Sequence, residues 1–202
     1  MAFPFIYLAS ASPRRHELLD QMGVPHEILR VPPPEGEDEP RWPGEAAETY
    51  VRRTALDKAQ HTVQWLQGDM SKTAHGKPAP ILAADTAVIL DGDVLGKPRD
   101  QADAAQMLAR LSGTRHAVHT AVVLAWQGRT HERVSITEVQ FKSLSPTEIA
   151  DYCATGEPMG KAGSYAIQGR AGIFVAHLSG SYTGVMGLPV YETSELLAEG
   201  YP

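Results

Sequence analysis

Short apolar runs alternate with amphipathic stretches along the chain, the pattern of an α/β fold. Phe5–Ala9 reads as a buried strand. Ser12 is placed to cap a helix with Pro13 at its first position, and the HELLDQMG stretch carries that helix to Gly23. The proline-rich and acid-rich segment 31–45 is a loop, and a second helix is predicted from Glu45 to about Gln67, with Tyr50, Val51, Ala55 and Ala59 on its apolar side. After a surface loop at 68–79 comes the strand ILAADTAVIL (81–90). Asp91-Gly92-Asp93 then turns it back into VLGKP as a hairpin. A helix over 101–111 stops at Ser112-Gly113, and runs 117–126 and 132–142 are predicted to pair antiparallel across Gly128. Ser145-Pro146-Thr147-Glu148 opens a capped helix reaching Gly156. The remainder reads as short strands and glycine-rich turns, closed by a helix near Tyr191–Glu199. Hairpins and βα units together call for a mixed sheet.

Length and composition narrow the classes. A chain of 202 residues, 43% hydrophobic and 21% charged, can bury a sizeable core as one domain, or as two lobes sharing one sheet. Its net charge of −6 argues against a long nucleic-acid groove but not against a small anionic ligand. The single cysteine, Cys153, excludes an intramolecular disulfide and reads as a thiol on or under a helix. The N-terminal apolar stretch lacks a basic leader and soon meets Arg14 and Arg15. No run approaches the ~20 residues of a membrane span, so a cytoplasmic location is expected.

Three positions break the local rules. Arg14 and Arg15 occupy the first turn of a helix, where cations face the positive end of the dipole. A phosphate would reverse that sign, with Ser10 and Ser12 adding hydroxyls on the same turn; a solvated pair beside a capping serine is the plainer alternative. Asp85 interrupts an apolar strand, which suits a metal ligand or general base, or a strand emerging into solvent. Folding the hairpin places Lys97 opposite Thr86 or Ala87, close to Asp85, either as a salt bridge or as part of a site. The acidic run Glu35–Glu39 could hold a divalent cation or be a solvated loop. His116 and His119 fall on opposite faces of a strand. There is no HExxH, CxxC or P-loop motif.

SASPRR followed by ELL, then AADT, GKP, YAIQG and GSYTGVMGLPVYET, in that order over residues 6–197, resembles the Maf family of nucleotide pyrophosphatases. The resemblance implies an inosine-triphosphatase-like fold, with an elongated mixed sheet flanked by helices and two lobes around a cleft. It implies hydrolysis of nucleoside triphosphates to monophosphate and pyrophosphate with Mg²⁺ or Mn²⁺. Carried over, phosphate binding falls on Ser10, Ser12, Arg14, Arg15 and Lys58, with Thr86 beside the central Asp85. Lys97 is the hairpin lysine and Glu39 the loop acid, the latter within a longer, proline-rich version of that loop. Glu39 and Asp85 are the implied metal and water-activating acids, with Asp85 favoured as base although the roles could exchange. Gln168 in YAIQG, with GSYTGVMGLP, matches the branch acting on dTTP and UTP. An amide offers a donor and an acceptor to a pyrimidine imide edge, or it could simply stabilise its turn. A 7-methyl-GTP or purine triphosphate enzyme of the same fold, and a nucleotide-binding regulator of septum formation, are the rivals. No nucleic acid or membrane partner is expected, and a homodimer, common in the family, is left open.

Overall fold

A computed structural model gives the fold of residues 3–32 and 41–199. Seven strands form one mixed sheet: β1 (Ile6–Leu8), β2 (His26–Ile28), β3 (Ile81–Leu90), β4 (Asp93–Leu95), β5 (Arg115–Trp126), β6 (Arg129–Phe141) and β7 (Val175–Ser179). The order is β2-β1-β3-β5-β6-β7, with β4 attached to β3. β1 is parallel to β2 and β3, whereas β3-β5-β6-β7 are antiparallel. The helices are α1 (Pro13–Met22), α2 (Ala47–Leu66), α3 (Gln101–Leu111), α4 (Pro146–Ala154), α5 (Tyr182–Met186) and α6 (Val190–Glu199). None of the described helices is long and apolar enough to cross a membrane.

β3 is apolar almost throughout because both its faces are covered. Leu82, Ala84, Val88 and Leu90 join one core with Leu18, Leu108 and Leu196 from the helices on that side. Ile81, Ala83 and Ala87 pack on the other side against Val51, Ala55 and Ala59 of α2. The hairpin forms as its sequence dictates: Asp91 and Gly92 both take positive φ, 53° and 85°, the requirement of a two-residue turn that matches strand twist.

The edge of β3 facing β1 explains where a cleft can open. β1 pairs with it only at Ile81 and Leu82, and β4 returns to it only at Val88. Between them Ala83–Ala87 have a strand neighbour on the β5 side alone. The sheet therefore forks along that stretch, just beyond the carboxyl ends of the short parallel strands, where α/β sheets leave a crevice.

Two expectations need correction. Ser12 stands at the N-cap of α1 but makes no side-chain cap bond; the turn before the helix is held by the Ser12 amide, which donates to Ser10 Oγ at 3.2 Å. Among the described residues the segment after α4 holds a single strand, β7, since turns, 3₁₀ pieces and the short helix α5 take the place of the other expected strands before α6. Elsewhere the agreement is close. The capping box of Ser145 and Glu148 is present, and Cys153 is buried on α4.

His116 is 3% exposed and inward, beside Phe141 and Tyr165. Its Nε2 lies 2.8 Å from the Tyr165 hydroxyl, and burial lowers its pKa from 6.5 to about 4. The unfolded chain therefore takes up a proton near pH 6.5 while the folded one stays neutral until near pH 4. Stability should fall through that window as pH drops, by about 1.4 kcal/mol per pH unit at the steepest. Urea unfolding of His116→Gln should show a flatter acid slope between pH 6.5 and 4 than the parent. An identical slope would reject this origin.

Candidate active site

The fork in the sheet opens into a cleft of about 940 Å³, a size suited to a nucleotide. Its walls come from the β1–α1 turn, residues 29–32, α2, the middle of β3, Lys97, the 157–169 segment and the end of α5. Ser10, Ser12, Arg14, Arg15, Lys58, Asp85, Thr86, Lys97 and Gln168 all line it. Glu39 lies outside the described residues.

Asp85 is 8% exposed and points to the α2 face of β3. Thr54 and Lys58, one turn apart on the buried stripe of α2, meet it there. Lys58 Nζ lies 2.6 Å from Oδ1, and Thr54 Oγ1 donates to Oδ2 at 2.8 Å. A buried carboxylate is thereby compensated, which removes the reading that the strand simply emerges into solvent. The partner is Lys58, whereas the sequence suggested Lys97. Continuing the β3–β4 register would put Lys97 across from Thr86, whose side chain is on the opposite face from Asp85. Lys97 is exposed at the cleft and makes no ion pair among the described residues.

The β1–α1 turn forms the opposite wall. Arg15 donates from Nε to the Gly187 carbonyl at 2.8 Å and from Nη1 to Ser10 Oγ at 3.0 Å, fastening the turn to the end of α5. Thr86 joins the same floor, its hydroxyl 3.0 Å from that of Thr120, which donates to the Gly184 carbonyl at 2.8 Å. Arg14 is half-buried and makes no hydrogen bond or ion pair among the described residues. Burial lowers its pKa, and the nearby Glu17 carboxylate offsets part of this. A guanidinium so placed, at a helix start with no side-chain cap, is arranged for an anion.

Sequence reading missed Lys161, Glu157 and Thr54. Lys161 lines the cleft, its pKa lowered first by burial and then by the Arg14 cation. Glu157 is spent on the fold. Its carboxylate accepts from the Tyr152 hydroxyl at 2.9 Å and the Arg170 amide at 3.1 Å, so it holds the turn that presents Gln168. A Cβ at Gly169 would come within 2.4 Å of that carboxylate, so a side chain there would displace Glu157 from its bonds to the turn. The KAGSY stretch carried the available signal, a lysine two residues before a glycine, Gly163, which takes positive φ. Its position, however, depends on a long-range bond from the Gly163 amide to the Gly96 carbonyl.

Six basic side chains (Arg14, Arg15, Arg30, Lys58, Lys97, Lys161) and two acids (Asp85, Glu157) line the cleft of a chain whose net charge is −6. Such local concentration attracts a polyanion. Asp85 with phosphate oxygens fits a hard cation, since Mg²⁺ is commonly held by one or two carboxylates plus substrate phosphates. No group of three protein donors converges in the cleft among the described residues.

The family described as Maf-like protein matches residues 5–200. A Bordetella pertussis protein named dTTP/UTP pyrophosphatase is 61% identical over 96% of this chain and 91% of its own length. Proteins of the same name from Aromatoleum aromaticum and Xanthomonas campestris are 50% and 51% identical, covering 98% and 95% of this chain and 96% of each of those proteins. A solved chain, the Ham1 protein of Staphylococcus aureus, has 13% identity and a TM-score of 0.42 over 68% of this chain and 72% of its own.

Proposed function

The chain belongs to the Maf family, and from that membership we propose that it hydrolyses dTTP and UTP to the monophosphate and pyrophosphate in the cleft beside β3. The observation that carries this reading is the meeting of a buried, paired Asp85 with six cations in one nucleotide-sized space.

Water attacks the α-phosphorus, the bond to the α–β bridging oxygen breaks, and pyrophosphate leaves with the added negative charge. Asp85 accepts the proton of the attacking water. Lys58 and Thr54 each hold one oxygen of that carboxylate and so fix its rotamer. Arg14, Arg15, Lys97, Ser10, Ser12 and the first amides of α1 bind the phosphates and offset the charge on the departing group. Thr86 borders the floor beside Arg15, and Gln168, held out by the Glu157-braced turn, presents its amide to the pyrimidine imide edge. Asp85 and Glu39 would be the oxygen donors for Mg²⁺ or Mn²⁺, which would supply charge neutralisation and a more acidic water.

Lys161 extends the phosphate cradle to the wall opposite the β1–α1 turn. Lys161→Ala should raise KM for dTTP about tenfold, the order of one charge-assisted contact, with kcat changing less. Steady-state kinetics check this, and an unchanged KM would remove Lys161 from the site.

The function is tested by pyrophosphate release from dTTP, UTP, 7-methyl-GTP and ITP with Mg²⁺ or Mn²⁺. Turnover is expected to be highest with the two pyrimidine nucleotides. Preference for 7-methyl-GTP or ITP would reassign the base, and no release from any would favour a nucleotide-binding regulator.

A further inference from the structure

Outside the cleft lining, α1 and β2 bring two imidazoles and a carboxylate together. His16 and Asp20 are one turn apart on α1, and His26 begins β2. The donor atoms of the three lie within 4.8 Å of one another, and this is the group of its kind found among the described residues. His16 Nδ1 and His26 Nε2 are 2.6 Å apart, with ring centroids at 4.8 Å and an interplanar angle of 67°.

The outer nitrogen of each ring has an acceptor. His26 Nδ1 is 2.8 Å from the Val24 carbonyl, and His16 Nε2 is 3.4 Å from the Asp20 carboxylate. A carbonyl only accepts, so Nδ1 of His26 carries the hydrogen and Nε2 presents a lone pair inward. Asp20 favours the same outward hydrogen on His16. With that tautomer of His16, two inward lone pairs 2.6 Å apart repel unless a positive centre lies between them, whereas a hydrogen on His16 Nδ1 would make the contact a plain hydrogen bond. Outer N–H groups held by a backbone carbonyl and a carboxylate are also what orients metal-ligating histidines and raises their basicity.

We propose that His16 and His26 chelate a late first-row divalent cation such as Zn²⁺, with Asp20 orienting His16. Imidazole nitrogens select Zn²⁺, Ni²⁺ or Cu²⁺ over Mg²⁺, so this site differs in chemistry from the all-oxygen cation site of the cleft. Two Zn–N bonds in tetrahedral geometry need the nitrogens about 3.3 Å apart, a small opening for side chains on separate elements. The ion clips the N-terminal half of α1 to β2, and so steadies the helix whose first turn carries Arg14 and Arg15.

The test is calorimetric titration of chelator-treated protein with Zn²⁺ in an Asp85→Asn background, which removes the described acid proposed to hold a cation in the cleft. One ion per chain is expected. His16→Gln and His26→Gln should each weaken binding at least tenfold, Asp20→Asn should weaken it less, and Mg²⁺ should not compete. The Cu²⁺ electron paramagnetic resonance spectrum should show two nitrogen ligands, reduced to one in His16→Gln. That variant lies on the helix surface and decides the matter if His26→Gln does not fold. Absence of Zn²⁺ binding, or affinity unchanged in the histidine variants, would overturn the site and leave a shared proton between the rings. Turnover of dTTP by His16→Gln, in the Asp85 parent, should stay within twofold, so this test and that of the cleft fail independently.

Discussion

Asp85→Asn should lower pyrophosphate release from dTTP about 10³-fold, within the range for loss of a positioned general base, while nucleotide binding persists. The amide keeps the volume of the carboxylate and can still receive the Thr54 hydrogen bond, so the strand need not move. What it cannot do is take a proton or balance Lys58. The ion pair is part-buried, with Lys58 31% exposed, so the stability loss should be modest, about 1–2 kcal/mol. Stopped-assay kinetics, dTTP titration and thermal melting of the same preparation separate the effects. Retained turnover would exclude Asp85 as the base. Lost turnover with equally lost binding would make it a binding residue instead.

Arg15→Lys should carry the next largest effect, a fall of roughly 10²-fold in kcat/KM despite conserved charge. Arg15 uses two edges of its fork at once, Nε toward the Gly187 carbonyl and Nη1 toward Ser10 Oγ. An ammonium has no rigid fork with which to hold both while meeting a phosphate. Arg15→Ala should lose more, adding the missing charge. Near-parental kcat/KM in the lysine variant would show that charge alone suffices and that the fork is structural.

Much of this was legible in the sequence because local rules were strong. ILAADTAVIL followed by Asp91-Gly92 specifies both strand and turn, and Ser145 with Glu148 specifies a helix start. The cleft residues were legible where they offended a local rule, as Asp85 and Arg14 do. Other features depend on how distant segments pack. The ion pair of Asp85 with Lys58 requires the stripe of α2 to dock on one face of β3, whereas hairpin proximity could only put Lys97 near Asp85, as a salt bridge or as part of a site. Lys161 was missed because the 157–169 segment acquires its place only against Gly96 and Val88, where a Cβ on Gly163 would come within 2.8 Å. The histidine pair was missed for the same reason: His16 and His26 are ten residues apart, and only the parallel pairing of β2 with β1 brings β2 beneath α1.

Turnover of dTTP with Mg²⁺ in ¹⁸O-labelled water, followed by phosphorus NMR and mass spectrometry, tests the proposed reaction most directly. The expected products are dTMP carrying the label and unlabelled pyrophosphate, as attack at the α-phosphorus requires. Formation of dTDP and orthophosphate, or label in the pyrophosphate, would contradict it.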